Sequence, residues 1–166
     1  MPRTKKSNTE GKETKVEVKK KTSEPSYYAA IGRRKEAVAS VRLYVGDGEI
    51  KVKEKAVKKG EMMVNNRLIE DYFKGEVYSK LYFEPFRTTN TVGRFSVVAN
   101  IIGGGISGQL GAFVHGVSRA LEKIDKEKFR PILKKKGFMT RDSRTKQRRK
   151  AGFAQKSRAK KQSPKR

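Results

Sequence analysis

The sequence predicts an α+β fold: strands in one layer with helices on one face, set between a charged leader and a strongly basic tail. Three observations lead there. Apolar residues alternate with period two in some segments and recur at helical spacing in others, in the order strand-strand-helix-helix-strand-helix-helix. The length, 166 residues, fits one domain. Hydrophobic residues make up 34% of the chain, too few for all of it to share one core.

Tyr27 to Val45 reads as a long strand, because Val41, Leu43 and Val45 alternate with Arg42 and Tyr44. Gly46-Asp47-Gly48 is a turn signal, and residues 49–53 alternate again, which predicts a β-hairpin between the two stretches. Residues 54–63 read as a loop or short helix. Asn66 is placed to cap a helix through Leu68, Ile69, Tyr72 and Phe73, ended by Gly75. A second short helix is expected from Val77 to Phe83, stopped before Pro85. Phe95 to Ile102 is the strongest strand signal. From Ser107 to Lys123 the residues Leu110, Phe113, Val114, Val117 and Leu121 recur at helical spacing. A last helix is expected from Lys126 to Lys135, before Gly137.

The charge divides the chain further. The formal net charge is +25. Residues 133–166 hold fifteen Lys/Arg against Asp142 alone, so more than half of that charge lies in the last 34 residues. The expected organisation is a leader over 1–25, a globular body over 26–132 and an extended basic tail over 133–166. The leader has few apolar residues beyond Val16 and Val18, so it is expected to be disordered. An excess of this size points to a polyanionic partner. There is no Cys, hence no disulfide and no thiolate metal site. No apolar run reaches the roughly 20 residues that span a bilayer, and no membrane partner is expected. The leader carries four Glu, unlike an acid-poor transit peptide, so the cytoplasm is the expected location.

Residues 103–108 match G-x-G-x-x-G after a strand and before a helix, and Asp125 stands 20 residues beyond Gly105. That pattern is a dinucleotide-binding fingerprint only where the acid ends a second parallel strand. Here Asp125 follows a helix and no βαβ unit continues. A Walker-type loop also fails, since Gln109 occupies the lysine position. Two compatible reasons for Gly103, Gly104 and Gly105 remain: close approach to a phosphate at a helix start, or a tight strand-to-helix turn.

The candidate phosphate-binding cations form clusters: Arg33-Arg34-Lys35; Arg141, Arg144, Arg148, Arg149 and Lys150; and Arg158 with Lys160, Lys161, Lys165 and Arg166. Three cations in a row on a strand cannot all avoid the buried face, so the first cluster belongs at an edge or bend. Tyr27, Tyr28 and Phe153 are candidates for stacking on bases, or for local packing. His115, the one histidine, has no partner for catalysis or metal binding and reads as a structural hydrogen-bonding residue. No cofactor and no enzymatic activity are expected.

Four segments then carry a resemblance: Gly32 to Lys35 with Ala37 and Ala39; Gly103 to Leu121; Leu133 to Gly152; and the Lys165-Arg166 end. Over about residues 26–166 the chain resembles the small-subunit ribosomal protein nine family in its bacterial form. The resemblance implies a compact βα sandwich like the second domain of ribosomal protein five of the same subunit, with a left-handed crossover that departs from the usual rule. It implies a body in the subunit head against ribosomal RNA, beside neighbouring head proteins. It also implies a tail that brings Lys165 and Arg166 to the anticodon region of peptidyl-site tRNA. Three departures stand out: Pro164 before the terminal cations, an apparent insertion at 54–63, and the leader. A DNA-compacting protein and a nucleotide-dependent enzyme are the rival readings.

Overall fold

The computed structural model describes residues 27–46, 50–52, 55–146 and 148. The leader, Arg149, Lys150, Phe153, Arg158, Lys165 and Arg166 lie outside the described residues.

The stretch expected to be one long strand is two. Strand β1 (Tyr27–Arg34) turns at Lys35-Glu36 and returns antiparallel as β2 (Ala37–Tyr44), pairing Arg34 with Ala37 and Tyr27 with Tyr44. Neither Gly nor Pro marks this turn. Lys35 takes the left-handed conformation itself, φ 52°, which costs a non-glycine residue about 1 kcal/mol. Residues beyond Gly46 do not pair with β2. Strand β3 (Ile50–Val52) instead pairs with β4 (Lys55–Val57) as a separate two-stranded sheet. The apparent insertion therefore contains strand, not a loop or helix.

Tyr44 is buried and Val45 exposed, the reverse of the expected alternation. Tyr44 and Met63 lie on the sheet face opposite the helices, yet both are buried, as are Ile50 and Val57. Ser96, beside Tyr44 in the register, donates to the Lys58 carbonyl just after β4 at 2.9 Å. The β3–β4 hairpin thus covers this end of the outer face.

Strand β5 (Met62–Val64) and the short β6 (Arg67–Leu68) form a hairpin around Asn65-Asn66. Both asparagines have positive φ, 48° and 63°, as a type I′ turn requires. The expected Asn66 cap is therefore a hairpin turn, and helix α1 is only Ile69–Tyr72, with Leu68 at its N-cap. Asparagine tolerates the left-handed region and also caps helices, so its presence could signal either. The Asn65 amide also prolongs the β5 ladder: Ile101 N–H donates to Oδ1 at 2.8 Å, and Nδ2 donates to the Ile101 carbonyl at 2.9 Å.

Helix α2 (Glu76–Thr88) runs through Pro85, where a stop was expected. Proline there forfeits one backbone bond near the helix end, but Pro85, Tyr82 and Phe86 are all buried. Their packing offsets a cost of about 3 kcal/mol. Strand β7 (Ser96–Ile102), helix α3 (Ile106–Ile124) and helix α4 (Lys126–Lys135) follow the expected pattern within a residue or two. The main sheet has the order β1-β2-β7-β5-β6, with β5 parallel to β7 and the other pairs antiparallel. Helices pack on one face, and Val41, Leu43, Val97, Phe113, Val117, Leu121 and Leu133 share the core.

Candidate nucleic-acid interface

Three of the predicted segments meet at one end of the sheet. The β1–β2 turn carries Arg33, Arg34 and Lys35. The loop from β7 to α3 carries Gly103, Gly104 and Gly105. A side chain on Gly103 would collide with the Glu36 carbonyl at 2.6 Å, and one on Gly104 would press on Ala37 at 3.1 Å. Both have positive φ, 74° and 62°. These two glycines are accounted for by the tight turn against the hairpin. Gly105 is different: its φ is −105°, it is exposed, and open space surrounds its Cα. Gly105 is also the N-cap of α3, where no side chain caps the helix and the first turn holds no acid. The first N–H groups of α3 are thus not occupied by a capping side chain.

A chain of polar contacts holds this loop. Gln109 Nε2 donates to the Gly103 carbonyl at 3.2 Å, and Tyr72 Oη donates to Gln109 Oε1 at 2.8 Å. Gln109, which occupies the lysine position of a phosphate loop, thus has a structural role. Asp125, the acid of the apparent dinucleotide fingerprint, caps α4 by accepting from Lys128 N–H at 3.1 Å. That hydrogen bond is the main reason its carboxyl is held below the usual carboxylate range. No second parallel strand leads to it, so the fingerprint has no structural basis.

The third segment is the root of the tail. Helix α4 ends in a Schellman motif: Gly137, at φ 79°, donates to the Lys134 carbonyl at 3.0 Å, and Phe138 N–H donates to the Leu133 carbonyl at 3.1 Å. Phe138 and Met139 then pack against the core. Asp142 returns the chain to the hairpin. Its carboxylate lies 2.5 Å from Arg34 Nη1, and Arg34 also donates to the Asp142 carbonyl at 3.1 Å. Arg144 grips the same carboxylate through Nε and Nη2 and its backbone N–H. These bonds, Arg144's first and Arg34's after them, hold the Asp142 carboxyl far below the usual range.

Arg34 is therefore committed to the tail root, its stem lying over Gly111 of α3. Arg33, Lys35, Arg141, Arg144 and Arg148 are exposed. The expectation that the first cluster sits at an edge and a bend holds: β1 is an edge strand and Lys35 is the bend.

Sequence reasoning missed a second set. His115, Arg119 and Lys123 stand four residues apart on α3 and reach the open edge of β1. Arg33 N–H donates to His115 Nδ1 at 3.2 Å, Arg119 to the Ile31 carbonyl at 2.6 Å, and Lys123 to the Ala29 carbonyl at 2.6 Å. Side chains thereby occupy an edge that would otherwise invite another strand. Burial pushes the His115 pKa down, and Arg119 and Arg141 push the same way, so the imidazole is neutral and able to accept. The signal was visible as an i, i+4, i+8 stripe. Asp142, the tail's lone acid, was equally visible.

Among the described residues, no cluster of His, Cys, Asp or Glu could hold a metal ion, and no helix is long and apolar enough to cross a membrane. The interface is thus a basic end of the sheet on which a cationic tail root is docked.

Comparison with known proteins gives this geometry a context. Residues 32–166 match the family described as Ribosomal protein S9/S16. Two relatives, from Cutibacterium acnes (strain DSM 16379 / KPA171202) and Leifsonia xyli subsp. xyli (strain CTCB07), are both named small ribosomal subunit protein uS9. Each is 46% identical to the chain over 125 residues, 75% of its length. The chain spans 65% of the first relative's length and 67% of the second's. By the extent of the match and the segments it covers, this chain belongs to the Ribosomal protein S9/S16 family.

Proposed function

We propose that the chain is a structural, non-enzymatic constituent of the small ribosomal subunit, located on cytoplasmic ribosomes, that holds ribosomal RNA by neutralising phosphates. The observation that carries this is the docking of the tail root on the β1–β2 turn. It gathers exposed Arg33, Lys35, Arg141, Arg144 and Arg148 beside Gly105 and launches a stretch with net charge +14 from one end of the body. Cations so placed release counterions from RNA, so affinity falls steeply with salt. Gly105 lets a phosphate approach the first N–H groups of α3.

Family membership supports a finer reading. The body over 26–132 takes the βα sandwich of ribosomal protein five's second domain, its left-handed crossover being the α1–α2 connection between parallel β5 and β7. It sits in the subunit head beside neighbouring head proteins. The leader over 1–25 is disordered. The tail over 133–166, with Arg149, Lys150 and Arg158, runs extended along RNA and brings Lys165 and Arg166 to the anticodon region of peptidyl-site tRNA.

Sucrose-gradient sedimentation of a native lysate tests the first statement. Co-migration with small subunits and whole ribosomes through a moderate salt wash is expected. Equal affinity for duplex DNA and ribosomal RNA at physiological salt would instead favour a DNA-compacting role. Deletion of Lys165 and Arg166 tests the second: weaker peptidyl-site tRNA retention on assembled subunits is expected, and loss of assembly would refute the tRNA role.

A further inference from the structure

The edge of β1 is flanked by two open clefts that the tail-root interface does not use. One, of about 420 Å³, lies among Tyr27, Ala29, Arg42, Arg119 and Lys123. The other, of about 400 Å³, lies among Arg33, His115, Arg119, Met139 and Arg141. Both share Ile31 and Arg119, so they form one groove along the strand. From Tyr27 to Arg33 the strand runs about 20 Å. Five cations line the groove and no acid does.

The cations keep binding capacity in hand. Arg119 and Lys123 each use one donor on a β1 carbonyl, and a guanidinium has five donors and an ammonium three. Those carbonyl bonds hold the two heads at the groove, about 6 Å apart along the helix axis. At its far end the Arg42 guanidinium lies 5.4 Å from the Tyr27 ring centroid, and Tyr27 is 46% exposed. A flat cation and an aromatic ring side by side suit an unpaired base. His115 is neutral and adds no charge.

We propose that this groove binds a second, single-stranded segment of ribosomal RNA, its phosphates on Lys123, Arg119 and Arg33 and a base against Tyr27 and Arg42. The proposal rests on the RNA-binding reading above and adds a surface distinct from the glycine loop and the tail. A polyanion is favoured over an added protein strand, because the α3 side chains already occupy the backbone groups of the edge.

The test uses the full chain with small-subunit ribosomal RNA. Arg42→Gln, Arg119→Gln and Lys123→Gln together keep an amide donor for each carbonyl and remove three charges. The slope of log affinity against log salt is expected to fall by about two to three, near 0.7 to 0.9 per lost contact. An unchanged slope, with Arg141→Gln/Arg144→Gln still lowering it, would overturn the groove and leave the RNA-binding reading intact. No binding by the unaltered chain would defeat both. Acylation of Lys123 in the unaltered chain gives an independent readout that needs no variant. Protection by RNA alone is expected; protection only in the assembled subunit would mean a protein fills the groove, and the proposal would fail.

Discussion

Gly32 opens a segment whose cations suggested RNA contact, yet the glycine has a different purpose. A Cβ there would sit 2.0 Å from the Ala112 carbonyl and 2.3 Å from Gly116 N, both backbone atoms of α3. Gly32 and Gly116 let strand and helix touch, and Ala37 and Ala39 are fully buried on the same face. Gly32→Ala is therefore expected to destabilise the fold by about 3 kcal/mol or more, read from the denaturant midpoint. Gly105→Ala is expected to change stability by less than about 1 kcal/mol, since its Cβ meets nothing. A fall in RNA affinity for Gly105→Ala would identify close phosphate approach, and an unchanged affinity would leave that glycine without a role in binding. Asp142 is the other decisive residue. Asp142→Asn weakens the grip of Arg34 and Arg144, so tryptic cleavage after Arg141 and Arg144 in the free protein should accelerate while the core unfolds at nearly the same temperature. Timed digestion with mass spectrometry reads both sites.

At the scale of elements, α3 does more than cover the sheet. Its stripe of His115, Arg119 and Lys123 satisfies the outward groups of β1, and the same imidazole makes a hydrogen bond with the Met139 backbone. This joins strand, helix and tail root through one titratable group. Its pKa lies below the ordinary 6.5 when folded, chiefly from burial. Between the two values the unfolded chain binds more protons than the folded one, so stability falls as pH falls. The His115 contribution is thus complete above about pH 6.5 and is lost below it, down to the folded pKa. Denaturant midpoints at pH 7.5 and 5.5 should separate more in the unaltered chain than in His115→Gln. The strong local patterns of β7, α3 and α4 were legible in the sequence. The split of β1 from β2 was not, because Lys35 makes a turn that residue preferences disfavour. Nor was the Asn65-Asn66 hairpin, because the same residue type caps helices.

Over the whole molecule, charge and core are separated. All residues of the apolar core lie between Ala30 and Leu133, with Phe138 and Met139 packed on it. A chain ending after Arg148 is expected to keep a cooperative unfolding transition, changed by less than about 1 kcal/mol, while losing much of its salt-sensitive RNA affinity. Paired calorimetry and filter binding would show it, and a collapse of the transition would mean that residues 149–166 hold the body together.

The sequence by itself determined what depends on composition and period: an α+β body, the long strand and two long helices, a polyanionic partner, and a tail too rich in charge to form a core. Those properties are sums or repeats along the chain, so neighbouring residues carry them. Only the tertiary structure decided which strands pair, that Gly32 serves helix packing, that Arg34 answers Asp142 across 108 positions, and that α3 occupies the β1 edge. Each of these is a contact between residues distant in sequence, made favourable by the burial of both sides, and no local pattern records the partner.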